Sequence, residues 1–347
     1  MLTHQHHSRS KTSPSRPGPA SPPKRRRFRR FLLISGGAAL TAAVLLLAST
    51  MANLVLDGVE NAAATPYGQK VKIDGGTINV TRSGTSGPTL VLLSGLGTPA
   101  PGLDFAPLVK ELTGYQTVVV EGFGYGYSDT AVRPRTVENI AEELHEVLAK
   151  LGIKAPYTLM GHSIAGFYTL YYANKYPQEV SAVIGIDPTV PANKSTSGST
   201  TTPTAMPARN YFWAHIPATT GLVRWATAFG YGEPGGNSYT DSERQQMRQL
   251  TSLTFGNQAV TDETFRVGEN ATKLKDMQYP GTLPVLEFVA QESMDHNADW
   301  LGAHERQLAN VQHNELDVLD GQHYLHWTQS ALMAQKIRAF LDRNGVK

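Results

Sequence analysis

The sequence predicts an α/β fold: a mostly parallel sheet with helices on both faces, interrupted by a helical insertion. Two observations predict it. Short, near-continuous apolar runs, Thr89–Leu93, Thr117–Val120, Tyr157–Met160 and Val180–Ile186, alternate with segments of helical spacing. Runs of that kind are strands buried on both faces, and their alternation with helices builds a parallel sheet. Between residues 191 and 279 the alternation gives way to a Ser/Thr-rich, loop-like stretch, Ser195–Thr204, and then to helical pattern, and it returns with Pro284–Ala290 and Leu316–Leu319.

Length and composition limit the chemistry. With 347 residues, 40% of them hydrophobic, the chain can bury one large core. It has no cysteine, so disulfides, thiolate metal sites and a cysteine nucleophile are excluded. Residues 1–30 hold nine Lys/Arg and no Asp/Glu, leaving 22 basic and 29 acidic side chains in the rest. That acidic remainder offers no electrostatic footprint for nucleic acid, so no nucleic-acid partner is expected. The first 30 residues, rich in Ser, Pro, His and Arg, read as a disordered basic tail. His4, His6 and His7 read there as solvated residues rather than metal ligands.

The basic cluster Lys24–Arg30 abuts an uncharged stretch, Phe31 to Leu56. As a helix at ~1.5 Å per residue it is about 39 Å long, enough to cross a bilayer with tilt. The positive-inside rule then keeps the N-terminus cytoplasmic and places the rest outside, as a single-pass protein of the cell membrane. The alternative is secretion after cleavage of a signal. Arg29-Arg30-Phe31-Leu32-Leu33 resembles a twin-arginine signal, and Ala62-Ala63-Ala64 suits a cleavage site. Residues 57–66 read as a linker, and 67–347 as the folded domain.

Within that domain, Gln69–Ile73 and Thr77–Thr81 alternate around Asp74-Gly75-Gly76, a hairpin pattern. Strand Thr89–Leu93 leads into Ser94-Gly95-Leu96-Gly97 and a helix expected over Gly102–Leu112. Strand Thr117–Val120 runs into the glycine-dense Glu121–Asp129. Apolar Val137, Ile140, Leu144, Val147, Leu148 and Leu151 predict a helix over Thr136–Leu151, capped by Thr136 and stopped at Gly152. Strand Tyr157–Met160 is followed by Gly161-His162-Ser163-Ile164-Ala165-Gly166 and a helical Phe167–Lys175. Strand, tight turn with a serine, and helix is the setting in which a hydroxyl stands clear of the backbone, with small flanking residues to permit the turn. The insertion, about 191–279, predicts helices over Asn210–Ala228, Thr240–Leu253 and Thr261–Leu274. Its aromatics Tyr211, Phe212, Trp213 and Trp225 are expected to form the cap's own core. Helices over Asp299–Asn310 and Thr328–Arg343 complete the domain.

From about Tyr67 to the C-terminus the chain resembles an α/β-hydrolase of the serine esterase and lipase type. The resemblance rests on GHSIAG, with Ala165 where glycine is usual, and on SGLG after the third strand, with Ser94 in place of a histidine. It rests also on EGFGYGYSD, with Glu121 in place of aspartate, and on DGQHYLH after the last strand. It implies an eight-stranded sheet with a helical cap, Ser163 as nucleophile and His323 as base. His326 matches a second, non-catalytic histidine. The oxyanion-binding amides would be the N–H groups of Leu96 and Ile164. Serine needs such a base at neutral pH, and the base needs an acid to fix its tautomer. Two loops offer that acid. Asp187, in Gly185-Ile186-Asp187-Pro188, reads like the acid loop of the pancreatic lipase group and is preferred. Glu292, Asp295 and Asp299 follow Pro284–Ala290 and stay open as alternatives.

The expected activity is cleavage of carboxylic ester or related acyl bonds of a small-molecule substrate, with no metal or organic cofactor. A serine rather than an aspartate at the turn argues against the epoxide hydrolase and haloalkane dehalogenase branches. Thioesterase, lactonase, amidase and acyltransferase chemistry, and a non-catalytic binding or sensor module, remain alternatives.

Overall fold

The computed structural model describes residues 24–63, 65–130, 133–191 and 208–346. The basic tail's three histidines and the Ser/Thr-rich segment 195–204 lie outside the described residues. The chain divides into two units, residues 1–48 and 49–347. One helix, α1 (Lys24–Ala63), is long and apolar enough over Phe28–Ala63 to be a candidate membrane span.

The second unit carries an eight-stranded mixed sheet in the order β1-β2-β4-β3-β5-β6-β7-β8. Its strands are β1 (Gln69–Ile73), β2 (Gly76–Ser83), β3 (Thr89–Leu93), β4 (Gln116–Glu121), β5 (Tyr157–His162), β6 (Val180–Ile186), β7 (Val285–Ala290) and β8 (Asn314–Leu319). β1 and β2 pair antiparallel, β2 joins β4 antiparallel, and the remaining pairs are parallel. Because side chains alternate along a strand, the sheet feeds two cores. Val91, Val118, Leu159 and Val183 pack on one face with helices α4 (Val137–Lys150) and α5 (Ala165–Lys175). Leu90, Leu92, Met160 and Ile184 pack on the other.

Two short helices precede β4: α2 (Pro101–Asp104) and α3 (Ala106–Glu111). One helix was expected here. Pro107 has no N–H to give the Leu103 carbonyl, so the helix breaks at Phe105. The insertion forms α6 (Ala208–Thr219), α7 (Leu222–Ala228), α8 (Asp241–Thr254) and α9 (Gln258–Leu274). Here too a single expected helix, Asn210–Ala228, is two, separated at Gly221 with φ of 75°. After β7 come α10 (Gln291–His296) and α11 (Trp300–Leu308), and after β8 come α12 (Leu325–Thr328) and α13 (Ser330–Arg343).

Two further expectations are corrected. The segment expected as a linker is helical through Ala63, because Asp57 and Glu60 of α1 form ion pairs with Arg224 of α7 at 2.6 and 2.7 Å. The aromatics expected to fill the cap core do not: Trp213 and Trp225 are 65% and 53% exposed. Tyr211 and Phe212 lie outside the described side chains. The described cap core is instead Tyr239, Met247 and Leu250, packed against Ala100.

A buried polar cluster fastens the cap to the sheet domain. Glu263 of α9 accepts from the Tyr168 hydroxyl of α5 at 2.5 Å and bonds the Tyr125 hydroxyl. Its neighbour Arg135, 1% exposed, is paired with Glu143 at 2.6 Å. Burial raises the Glu263 pKa against the opposing pull of Arg135, Tyr168 and Tyr125. Glu263→Ala orphans two buried hydroxyls and unbalances the cluster. A loss of about 3 kcal/mol of stability is therefore expected, read as a lower urea midpoint at unchanged m-value.

The glycine-dense loop after β4 does comparable structural work. The buried Glu121 carboxylate accepts from Tyr67 Oη (2.6 Å), Asn79 Nδ2 (3.0 Å), and the amides of Gly102 (3.1 Å) and Tyr127 (2.9 Å). One side chain so ties the hairpin, α2 and its own loop together.

Candidate active site

At the end of β5 the chain turns sharply into α5, and the apex is Ser163 with φ of 54°, a left-handed conformation in a residue that carries a Cβ. Such a backbone costs roughly 1–2 kcal/mol. The Ser163 amide donates to Ile186 O (3.1 Å), and its carbonyl accepts from Gly166 (2.9 Å) and Thr189 (2.7 Å). The turn is thus fixed to the end of β6. A Cβ at Gly166 would lie 2.5 Å from Thr189 O and 2.8 Å from Pro188 Cβ, so only glycine lets the loop after β6 close on α5. That closure brings Asp187 beneath the serine turn.

His323, in the loop after β8, lies between them. Its Nε2 is 2.8 Å from Ser163 Oγ and its Nδ1 is 2.5 Å from Asp187 Oδ2. Ser163 and His323 are half-buried, while Asp187 is fully buried, with φ of 43°. Burial pushes the Asp187 pKa up, but hydrogen bonds from His323, Ser293, the Ala290 amide and Trp300 outweigh it, and the net direction is down. Ser293 Oγ donates to Oδ2 at 2.5 Å. Trp300 Nε1 and the Ala290 amide donate to Oδ1 at 2.9 and 3.0 Å.

The other acidic residues weighed from the sequence stand elsewhere. Glu292 accepts the His323 backbone amide at 2.9 Å and so braces the loop, not the ring. Asp295 accepts from Gln291 within α10, and Asp299 pairs with Arg306 at 2.5 Å on the surface. Asp187 is therefore the carboxylate that the fold brings to the imidazole. Ser293 and Trp300, which steady it, carried no signal in the sequence. Their donors meet Asp187 only because α10 and α11 fold back over the end of β7.

The amides expected to hold an oxyanion flank the serine. Gly95 packs so tightly that a Cβ there would lie 3.1 Å from Ser163 Cβ and 2.7 Å from His162 Nδ1, which sets the Leu96 loop directly against the turn. Among the described residues the amides of Leu96 and Ile164 make no backbone hydrogen bond. Tyr125 Oη accepts from the Gly97 amide at 3.3 Å and so braces the Leu96 loop.

Two more histidines underlie the site. His162 is fully buried. Burial, with the neighbouring His326 and His323, holds its pKa well below the usual imidazole value. Neutral, it meets the His323 carbonyl with Nε2 at 3.2 Å. His326 is buried against Asp104 at 2.7 Å, and Asp104 also accepts from Trp327 Nε1 at 2.8 Å. This pair pins α12, which follows the His323 loop, to α2. Beside the Leu96 loop lies a mostly apolar cavity of about 390 Å³, walled by Gly97 and Pro99 and by Ala214, Phe255, Val260 and Phe265 of the cap.

Comparison with known proteins agrees with this architecture. A family model described as the alpha/beta hydrolase fold matches residues 88–221. The uncharacterised protein YbdG of Bacillus subtilis is 29% identical over 247 residues, covering 70% of this chain and 74% of YbdG. RutD of Cronobacter turicensis, provisionally named a carbamate hydrolase, is 36% identical over 104 residues, 29% of this chain and 37% of RutD. The crystal structure of a membrane phospholipase A superposes with a TM-score of 0.56 over 92% of this chain and 100% of that one. At 19% identity, that last likeness is one of fold. The stretch matched by the family model runs from β3 through the serine turn to the end of β6 and beyond, and with the eight-stranded sheet around it the chain has the α/β-hydrolase fold.

Proposed function

We propose that this hydrolase cleaves carboxylic ester or related acyl bonds through a Ser163–His323–Asp187 triad. The observation that carries the reading is the unbroken pair of hydrogen bonds from Ser163 Oγ to His323 Nε2 and from His323 Nδ1 to Asp187, with the serine at a strained apex. Ser163 Oγ attacks the acyl carbonyl while His323 Nε2 takes its proton. The amides of Leu96 and Ile164 hold the oxyanion, each worth about 3 kcal/mol by analogy with other such donors. His323 returns the proton to the leaving group. Water, activated by the same imidazole, then attacks the acyl-enzyme and frees Ser163. Asp187 keeps Nδ1 protonated throughout and steadies the imidazolium. The apolar cavity beside the Leu96 loop is suited to the hydrocarbon part of the substrate.

The basic cluster that opens α1, Lys24–Arg30, supports an anchored topology, with the N-terminus cytoplasmic and the catalytic domain outside. The test of the chemistry is a fluorophosphonate probe on the full chain in detergent, with the adduct mapped by mass spectrometry. Stoichiometric labelling at Ser163 is the expected result. A folded protein left unlabelled would move the non-catalytic binding module to first place.

A further inference from the structure

The last turns of the apolar run in α1 are not free helix. Ser49 Oγ donates to Thr220 O at 2.7 Å, and the buried Asn53 donates from Nδ2 to Ala218 O at 3.2 Å. The two side chains satisfy carbonyls at the C-terminal end of α6. Trp225 Nε1 donates to Ser49 Oγ at 2.9 Å, and Arg224 reaches Asn53, Asp57 and Glu60. Helix α7 is therefore clamped alongside α1. Its charged contacts fall past Leu56, and Trp225 falls at the level of Ser49, about 10 Å back along the helix at ~1.5 Å per residue.

On α7 and its cap, Leu222, Trp225 and Phe229 are spaced three and four apart and form one stripe, 51%, 53% and 87% exposed. Tyr231, just beyond, is 82% exposed. From Asn210 to Gly232 the only Lys, Arg, Asp or Glu is Arg224, which α1 already neutralises. A tryptophan-bearing apolar stripe of this kind is costly in water and suits the boundary between headgroups and acyl chains.

We propose that the α7 stripe of the cap is a membrane-docking surface, seated in the lipid interface beside α1. This rests on α1 spanning the bilayer. An aqueous position for Trp225 would then require the last two turns of the apolar run to stand clear of the lipid. The docked cap presents the enzyme to substrates that partition into that interface, esters with a long hydrocarbon part.

The absence of cysteine makes a direct test clean. Single variants Phe229→Cys, Leu40→Cys and Gln312→Cys of the full chain are nitroxide-labelled in phosphatidylcholine–phosphatidylglycerol vesicles. Collision with oxygen, which concentrates in lipid, is compared with collision with a water-soluble nickel chelate. The expected result is that oxygen exceeds nickel several-fold at 229 and 40 and falls below it at 312. Nickel access at 229 with lipid access at 40 would overturn the docking while leaving the anchor standing. A label at 229 shielded from both reagents would mean a protein contact and overturn it also. An aqueous label at 40 would remove the anchor and the docking together. None of these outcomes depends on catalysis, so they stand apart from the triad reading.

Discussion

Replacing Ser163 with alanine is expected to lower kcat by roughly 10⁴–10⁶-fold while leaving KM for a chromogenic ester nearly unchanged. The hydroxyl is the group that forms the acyl bond, and no other hydroxyl among the described residues is hydrogen-bonded to the His323 ring nitrogens except through Asp187. The fold survives the change, because alanine keeps the Cβ that packs against Gly95 and the backbone bonds to Ile186 and Thr189. The substitution leaves the backbone strain in place, since alanine at a φ of 54° is no happier than serine. Ser163→Gly separates the two effects: it is equally inactive but gains about 1 kcal/mol of stability where the left-handed strain is relieved. Paired kinetics and urea titrations of the two variants check both halves. Residual activity within tenfold of wild type in Ser163→Ala would place the nucleophile elsewhere.

Much of the fold was legible because its signals are local. The strands β3 to β7 are apolar runs bounded by glycine or polar turns, and a strand buried on both faces leaves that mark whatever surrounds it. The serine turn was legible for the same reason: a strained apex needs small neighbours in sequence. The breaks in the expected helices were missed where a single residue acts against the pattern. Pro107 ends α2 by a missing donor, and Gly221 ends α6 by its handedness, although the apolar spacing runs on through both. What the sequence could not fix was anything that depends on two distant segments meeting. Asp187 and Glu292 both lie within hydrogen-bond reach of His323 atoms, one at the ring and one at the amide. Only their placement in space separates the roles. The continuation of α1 past Leu56 is of the same kind. Asp57 and Glu60 look like linker residues until Arg224, more than 160 positions away, supplies the partner that keeps them helical.

Asp187→Asn is expected to reduce kcat by about 10⁴-fold, against less than about tenfold for Glu292→Gln. The Asp187 carboxylate receives four donors, of which only the Ser293 hydroxyl, beside His323 at Oδ2, could turn to accept. An asparagine there must aim its NH₂ either at the Trp300 and Ala290 N–H groups, which cannot accept, or at Ser293 and His323. Where it meets His323, the ring can satisfy it only by accepting at Nδ1, which moves the proton to Nε2. That tautomer points N–H at Ser163 and cannot take the serine proton. Glu292 gives the opposite expectation, because the oxygen of a glutamine still accepts the His323 amide. The pH dependence of stability adds an independent reading. The folded pKa of Asp187 is displaced downward, so the carboxylate contributes stability that is fully present above the unfolded value of about 3.9. It is lost as pH falls through the folded value. Wild type should therefore exceed Asp187→Asn in urea midpoint at neutral pH, with the gap narrowing below about pH 4. A four-decade loss in Glu292→Gln with little change in Asp187→Asn would reverse the assignment and make Glu292 the acid, through a movement of its carboxylate from the His323 amide to the ring.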